Sequence, residues 1–166
     1  HVDGKTGQIM GTVDLSSLGH TPYGAVIDQN GILWSSGAGG QNVLRLDTSN
    51  NSITTINLHH FVYGLALDRD NHLFIAGWDS SCFSRINILT GRIDWTKPCP
   101  YQSRGVAVTD DGDVWIANSA GGTVTRYSNN GDFKATITVG STPIGVSVDN
   151  QGKVWVVDYG DEYIHR

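Results

Sequence analysis

The side chains best suited to bind a ligand lie at two positions that vary while the sequence around them recurs. The first position precedes a recurrent glycine, and the second follows the next hydrophobic run. The first holds Tyr23, Tyr63, Arg104 and Ile144, and the second holds Gly37, Gly77, Asn118 and Asp158. Aromatic, guanidinium and carboxamide groups that converge on a cavity mouth suit a small polar ligand. With neighbouring loop residues included, the predicted ligand-binding residues are Tyr23, Tyr63, Trp78, Arg104, Asn118, Asp158 and Tyr159.

Both positions belong to a repeat whose members are spaced by 40, 41 and 40 residues. Three columns keep this spacing: glycines, large aromatic residues ten positions later, and arginines eleven positions after those. They contain Gly24, Gly64, Gly105 and Gly145; Trp34, Phe74, Trp115 and Trp155; and Arg45, Arg85, Arg126 and Arg166. A period near 40 indicates an array of identical supersecondary units. We expect the aromatic column to pack blade against blade, whereas the arginines either bridge blades or lie on the outer surface.

Each repeat has four short hydrophobic runs separated by turn residues, as in Val114–Ala117 and Thr123–Tyr127. The chain contains 21 Gly and 15 Asp but a single Glu, a composition that favours turns over helices. Four short strands in about 40 residues are typical of one β-propeller blade. The sequence therefore predicts an all-β propeller of four-stranded antiparallel blades with four blade equivalents. A helical bundle and a Rossmann-type α/β domain are excluded.

The charge and hydropathy of the chain exclude two further classes. A net charge of −5 argues against a nucleic-acid partner, because binding phosphates requires a basic face. No run of 18 apolar residues occurs, so no membrane span is expected.

The pattern G-h-x-h-D-x-x-G-x-h-W-h-x-[ND], followed by the arginine, is clearest at 105–126 and 145–166. It resembles the NHL, virginiamycin B lyase-like and YVTN group of bacterial β-propellers over essentially the whole chain. The resemblance implies that lyase chemistry would need a His just before the repeat glycine, a Glu after the second strand and a divalent metal. Neither residue occupies those columns, so no catalytic residue is predicted. Lactonase-like propellers place Glu, Asn and Asp around calcium, and Asn118 and Asp158 would fit two of those places.

We expect residues 1–19 to end one blade, 20–59, 60–100 and 101–140 to form three blades, and 141–166 to begin another. Both termini fall at equivalent points inside a third strand. One interpretation makes the chain part of a six- to eight-bladed propeller, and we favour it because a strand cut in mid-length leaves unpaired edges. In the other, residues 8–16 complete the last blade and close a four-bladed ring.

Cys82 and Cys99 are the only cysteines. A two-residue hairpin turn at Thr90-Gly91 would place them opposite each other at a non-hydrogen-bonded site, where facing side chains are closest. We therefore predict a disulfide between them, with two unrelated buried thiols as the alternative. The disulfide and the low Lys and Glu content indicate a secreted or periplasmic protein.

Adjacent strand residues point to opposite faces, so His59 and His60 cannot chelate a metal together. We interpret them, and His20 in the equivalent region, as loop histidines at blade junctions.

The expected function is a binding module without a cofactor, with its site at the mouth of the central channel. A small molecule, a glycan or a protein is the expected partner, together with further blades of the same protein or a second copy. One alternative is a metal-assisted lyase or lactonase-like hydrolase with a divalent cation on the channel axis and some ligands outside this chain. Another is a structural or surface-display module.

Overall fold

The computed structural model describes residues 1–166, and these fold into four antiparallel sheets arranged as propeller blades. Blade 1 contains β1 (Pro22–Ile27), β2 (Ile32–Gly37), β3 (Asn42–Asp47) and β4 (Ile53–Asn57). Blade 2 contains β5 (Leu65–Leu67), β6 (His72–Ala76), β7 (Cys82–Asn87) and β8 (Arg92–Pro98). Blade 3 contains β9 (Ser103–Val108), β10 (Val114–Asn118), β11 (Thr123–Tyr127) and β12 (Phe133–Thr138). Blade 4 has three strands, β13 (Pro143–Val148), β14 (Val154–Asp158) and β15 (Tyr163–His165).

The only helices are two 3-10 turns, Ser16–Leu18 and Ser119–Gly121. No helix has the length and apolar character needed to cross a membrane. The predicted all-β propeller class is therefore confirmed.

Residues 1–10 form a hairpin that reproduces the turn between the third and fourth strands of a blade. Val2 pairs with Ile9, and the Asp3 amide donates to the Gln8 carbonyl at 2.8 Å. In blade 1 the Asp47 amide donates to the Ser52 carbonyl at 2.9 Å in the same way. Part of the segment 8–16 therefore pairs with the start of the chain.

Two of the repeat glycines, Gly64 and Gly105, lie where the inner strands of neighbouring blades approach each other closely. β1 packs on β5, β5 on β9, and β9 on β13. A Cβ atom added to Gly64 would lie 1.9 Å from the Arg104 carbonyl oxygen, and one added to Gly105 would lie 2.9 Å from the Ile144 carbonyl oxygen. Glycine is required at these positions because backbone atoms of the next blade occupy the space of a side chain.

The aromatic column fills the layers between blades. Trp34 is fully buried among blade 2 residues such as Leu73 and Ile75, and Phe74 is fully buried against blade 3. In blade 4, by contrast, the aromatic residue Trp155 is 37% exposed.

An aspartate at the end of the first strand holds the indole in place. Asp28 accepts a hydrogen bond from Trp34 Nε1 at 2.9 Å and also caps the amides of Asn30 and Ile32. Asp149 makes the equivalent bond to Trp155 Nε1, also at 2.9 Å. Blade 3 has Thr109 at this position, and there the Trp115 indole N–H has no partner.

The arginine column lies over aromatic rings, and one member also links two blades. The guanidinium carbons of Arg45 and Arg126 lie 5.8 and 5.4 Å from the ring centroids of Trp34 and Trp115. Arg85 lies over Trp95 at 5.6 Å and donates to Asn129 Oδ1 of blade 3 at 2.6 Å. Arg85 therefore shows one of the two expected placements, the bridge between blades.

The predicted disulfide between Cys82 and Cys99 is absent, and both thiols are free. The predicted register is wrong because the loop after Asn87 has four residues instead of two, which sets Asn87 opposite Arg92. A β-bulge between Arg85 and Ile86 recovers only part of this offset, so Cys82 pairs with Pro98 instead of Cys99. Cys99 follows this pair and contacts Ser103 Oγ at 3.2 Å. The expectation of an oxidising compartment therefore loses its main argument.

We expect Asp28→Ala to lower the free energy of unfolding by about 1–3 kcal/mol, because the buried Trp34 indole loses its acceptor. Asp149→Ala removes the same set of bonds around the half-exposed Trp155, where water replaces the carboxylate, so its effect should be smaller. Urea denaturation of both variants measures the difference. Equal losses would contradict the role of burial.

We expect two free thiols per chain when the protein is titrated with Ellman's reagent in denaturant without reductant. In the native protein at pH 8 the reaction should be slow. Burial raises the pKa of Cys99 to about 12, and burial also raises the pKa of Cys82, so both thiols stay protonated. Fewer than two thiols in denaturant would indicate that a disulfide forms.

Candidate functional site

Four of the predicted residues contact one another at one end of the inner strands. Tyr23 lies in β1, Tyr63 precedes β5, Trp78 follows β6 and Arg104 lies in β9. The hydroxyls of Tyr23 and Tyr63 are hydrogen-bonded at 2.6 Å, and Tyr63 stacks on Trp78 with ring centroids 5.4 Å apart. The Arg104 guanidinium carbon lies 3.9 Å from the centroid of the Trp78 ring. We call these four residues the mouth cluster.

Two cavities adjoin the mouth cluster. One of about 210 Å³ is lined by the inner strands of all four blades, including the whole first column: Tyr23, Tyr63, Arg104 and Ile144. The other, about 250 Å³, is lined by Tyr23, Tyr63, Trp78 and Asp79 among others. The fold thus brings residues separated by one repeat each to a single opening.

A larger cavity of about 610 Å³ lies elsewhere, between blades 3 and 4. Valine and isoleucine side chains, Trp115 and His165 are among its lining residues, and none of the predicted binding residues reaches it. It is a gap in inter-blade packing beside the three-stranded blade 4.

The electrostatics of the mouth cluster keep the Tyr63 phenol neutral. Burial raises the pKa of Tyr63, and the hydrogen bond with Tyr23 acts in the same direction. The positive charge of Arg104 opposes them without reversing the shift. Tyr63 therefore remains a protonated hydroxyl that can donate or accept a hydrogen bond.

Asn118 does not join the mouth cluster. Its side chain is fully buried inside blade 3, where its amide donates to Thr125 Oγ1 at 2.8 Å and its carbonyl accepts from Ser103 Oγ at 3.1 Å. These partners satisfy the polar atoms of Asn118 within its own blade.

Asp158 and Tyr159 also lie apart from the mouth cluster, in blade 4. Burial opposes ionisation of Asp158, but the amides of Thr142, Gly160 and Asp161 donate to it and hold its pKa below the usual value. Tyr159 is 76% exposed at a separate surface depression. Nowhere in the chain do three or more His, Cys, Asp or Glu side chains group closely enough to hold a metal ion.

Sequence reasoning placed His20 and His60 in the loops at blade junctions but did not foresee that both are buried. A Cβ atom added to Gly37 would lie 3.2 Å from the His20 ring, and one added to Gly77 would lie 3.0 Å from the His60 ring. Blade 3 has Asn118 in the glycine position and no histidine. The signal in the sequence was the pairing of each glycine with a histidine. A glycine leaves room for the imidazole, and in blade 3 the side chain of Asn118 takes that place.

The hydrogen bonds of His60 define its tautomer. Nδ1 lies 2.8 Å from the Phe61 carbonyl oxygen, which can only accept, so Nδ1 carries the proton. Nε2 lies 2.7 Å from Ser84 Oγ and accepts from that hydroxyl. Protonation of His60 would place a hydrogen on Nε2, which could then no longer accept the hydrogen bond from Ser84 Oγ.

The fold and the clustered channel residues define a β-propeller with a candidate ligand site at its channel mouth. Its structure is similar to that of virginiamycin B lyase from Staphylococcus aureus, solved as a catalytically inactive variant with quinupristin: TM-score 0.76, 20% identity, 86% of this chain and 50% of that chain. A streptogramin B lyase matches with TM-score 0.78 and 16% identity over 86% of this chain and 50% of that one. The WD40 propeller of Doa1 matches with TM-score 0.73 and 19% identity over 86% and 49%.

The chain thus spans about half the length of these proteins. The predicted likeness to virginiamycin B lyase-like propellers is confirmed in the fold. No family model and no curated protein sequence matches the chain.

We expect the wild-type protein to lose unfolding free energy as the pH falls from 7.5 to 5. Burial lowers the pKa of His60 below its model-peptide value of 6.5, although the Phe61 carbonyl opposes the shift. The folded state therefore favours the neutral imidazole, and the free energy of unfolding falls as the pH drops and His60 becomes protonated. His60→Gln should reduce this dependence without abolishing it, because burial also lowers the pKa of His20, whereas His59→Gln at the exposed neighbour should preserve it. Urea denaturation at each pH measures the slopes, and identical slopes would contradict the argument.

Proposed function

We propose that this chain is part of a ligand-binding β-propeller whose site is the mouth cluster of Tyr23, Tyr63, Trp78 and Arg104. The supporting observation is convergence: three of these residues, with Ile144, line one cavity at the channel although each comes from a different blade. Structural residues repeat in every blade, as the glycines and aromatics do. The first column instead varies at the one place where all four blades meet, which is typical of a binding site.

A second candidate is a structural role for the same residues, and one observation favours it. Tyr23, Tyr63 and Trp78 pack on one another, with ring centroids 4.9 Å apart in the first pair. Against this role, two cavities stay open beside the rings and Tyr23 is 60% exposed. A cluster built for stability alone would bury these rings.

The enzymatic alternatives have less support. The similarity to lyases rests on the fold, and the first column holds no histidine. Asn118 and Asp158, which would be two of the calcium ligands in a lactonase-like site, have their oxygen atoms occupied by hydrogen bonds within their own blades. The mouth therefore has neither the histidine of the lyase mechanism nor free oxygen ligands from Asn118 and Asp158 for a calcium ion.

The proposal is tested by titrating the protein with phenol, indole, benzamide and benzoate while recording amide and indole NMR shifts. We expect saturable shifts centred on the mouth cluster for at least one probe. Trp78→Ala should abolish them, and Trp155→Ala, at a half-exposed tryptophan outside the mouth, should leave them unchanged.

Thermal unfolding of Trp78→Ala separates the two candidates. A ligand site predicts a modest loss of stability together with lost binding. No saturable shift at the mouth in the wild type, with a large drop in the Trp78→Ala midpoint, would favour the structural role.

A further inference from the structure

Arg104 is the only charged residue of the mouth cluster, and its guanidinium has no protein partner. Its Nε atom is buried without a hydrogen-bond acceptor. None of the ion pairs in the chain includes Arg104, whereas Arg85 pairs with Asp94 and Arg126 with Asp113. Buried polar atoms in proteins are nearly always hydrogen-bonded, and an unmade bond to a charged group is costly. An unpartnered guanidinium that lines a cavity is therefore available to bind an anionic group.

The guanidinium is held in place by its surroundings. Its central carbon lies 3.9 Å from the Trp78 ring centroid and 5.9 Å from that of Tyr63. The Arg104 backbone is fixed by its close approach to Gly64. A planar guanidinium supported on aromatic faces is preorganised for in-plane hydrogen bonds, which a flexible lysine would not be.

We infer that the mouth cluster binds a small molecule carrying one carboxylate on a planar ring. This inference rests on the proposed function and names its ligand class. A carboxylate matches the fork of the guanidinium and forms two parallel charge-assisted hydrogen bonds. The Tyr23, Tyr63 and Trp78 rings supply an aromatic wall for the rest of the molecule.

The charge at the site favours a carboxylate over a phosphate group. Arg104 is the only cationic residue lining either cavity. The only acidic residue is Asp79, which lines the larger cavity and accepts a hydrogen bond from the Tyr101 hydroxyl at 3.1 Å. A single positive charge suits a monoanion, and Asp79 directs the carboxylate toward the cavity that Arg104 lines.

The cavities also limit the size of the ligand. Their volumes of about 250 and 210 Å³ fall below the roughly 300–1,000 Å³ of drug-sized pockets. A single ring with its carboxylate is therefore the expected scale.

The test compares benzoate with benzamide, its neutral isostere, and with inorganic phosphate at pH 7 and constant ionic strength. We expect benzoate to bind at least about 10-fold more tightly than benzamide. Binding is measured from the NMR signal of the Trp78 indole. Arg104→Gln should weaken benzoate binding by about 10- to 100-fold and leave benzamide unchanged, as the loss of a charged hydrogen bond predicts. Arg104→Lys should give an intermediate loss.

Arg45→Gln is the matched control, because it removes a guanidinium stacked on Trp34 outside the mouth. It should bind benzoate as the wild type does, and unchanged far-UV circular dichroism establishes that each variant folds. Equal affinity for benzoate and benzamide at the mouth would overturn the carboxylate inference and leave the proposed function standing. If phosphate bound as tightly as benzoate, the inference that the ligand carries a planar ring would be overturned. No binding of any probe at the mouth would overturn the proposed function itself.

Discussion

Backbone contact between neighbouring inner strands is the constraint on which the rest of the structure depends. At Gly64 and Gly105 the next blade comes so close that no side chain fits between the strands. The residue before each glycine must then project at the channel mouth. This is how Tyr63 and Arg104, 41 positions apart in the chain, become neighbours. The close approach of the strands at these glycines thus positions residues of successive blades beside one another at the site.

Farther from the channel, the side chains of the aromatic column fill the space between neighbouring blades. Trp34 and Phe74 fill the two best-buried layers, and Asp28 fixes the Trp34 indole in its layer. Arg85 adds a polar tie between blades 2 and 3 through Asn129. All four residues of the mouth cluster belong to blades 1 to 3, which these layers join, so the cluster stands on the best-buried part of the array.

The sequence predicted the fold because the fold is periodic: three columns with one spacing suffice to define the blades. It also named the four residues of the mouth cluster, because the residues before the recurrent glycines share one end of the inner strands; it grouped Asn118, Asp158 and Tyr159 with them, which the structure places elsewhere. It failed where local irregularity decides. The four-residue loop after Asn87 offsets the two strands, and the bulge beside Arg85 recovers only part of that offset, so Cys82 faces Pro98 instead of Cys99; nothing in the residue types signals either irregularity. In the second column, variation reflects compensation inside each blade, where Asn118 replaces the imidazole found beside Gly37 and Gly77.

The uneven burial of the aromatic column has a dynamic consequence. Trp34 and Phe74 are fully enclosed on the two sides of blade 2, which packs between blades 1 and 3. Local opening costs most where many apolar contacts are lost, so amide hydrogens should exchange with solvent slowest in blade 2. Tyr63 and Trp78 stand on this blade, so the aromatic wall of the opening should be the part of it that moves least.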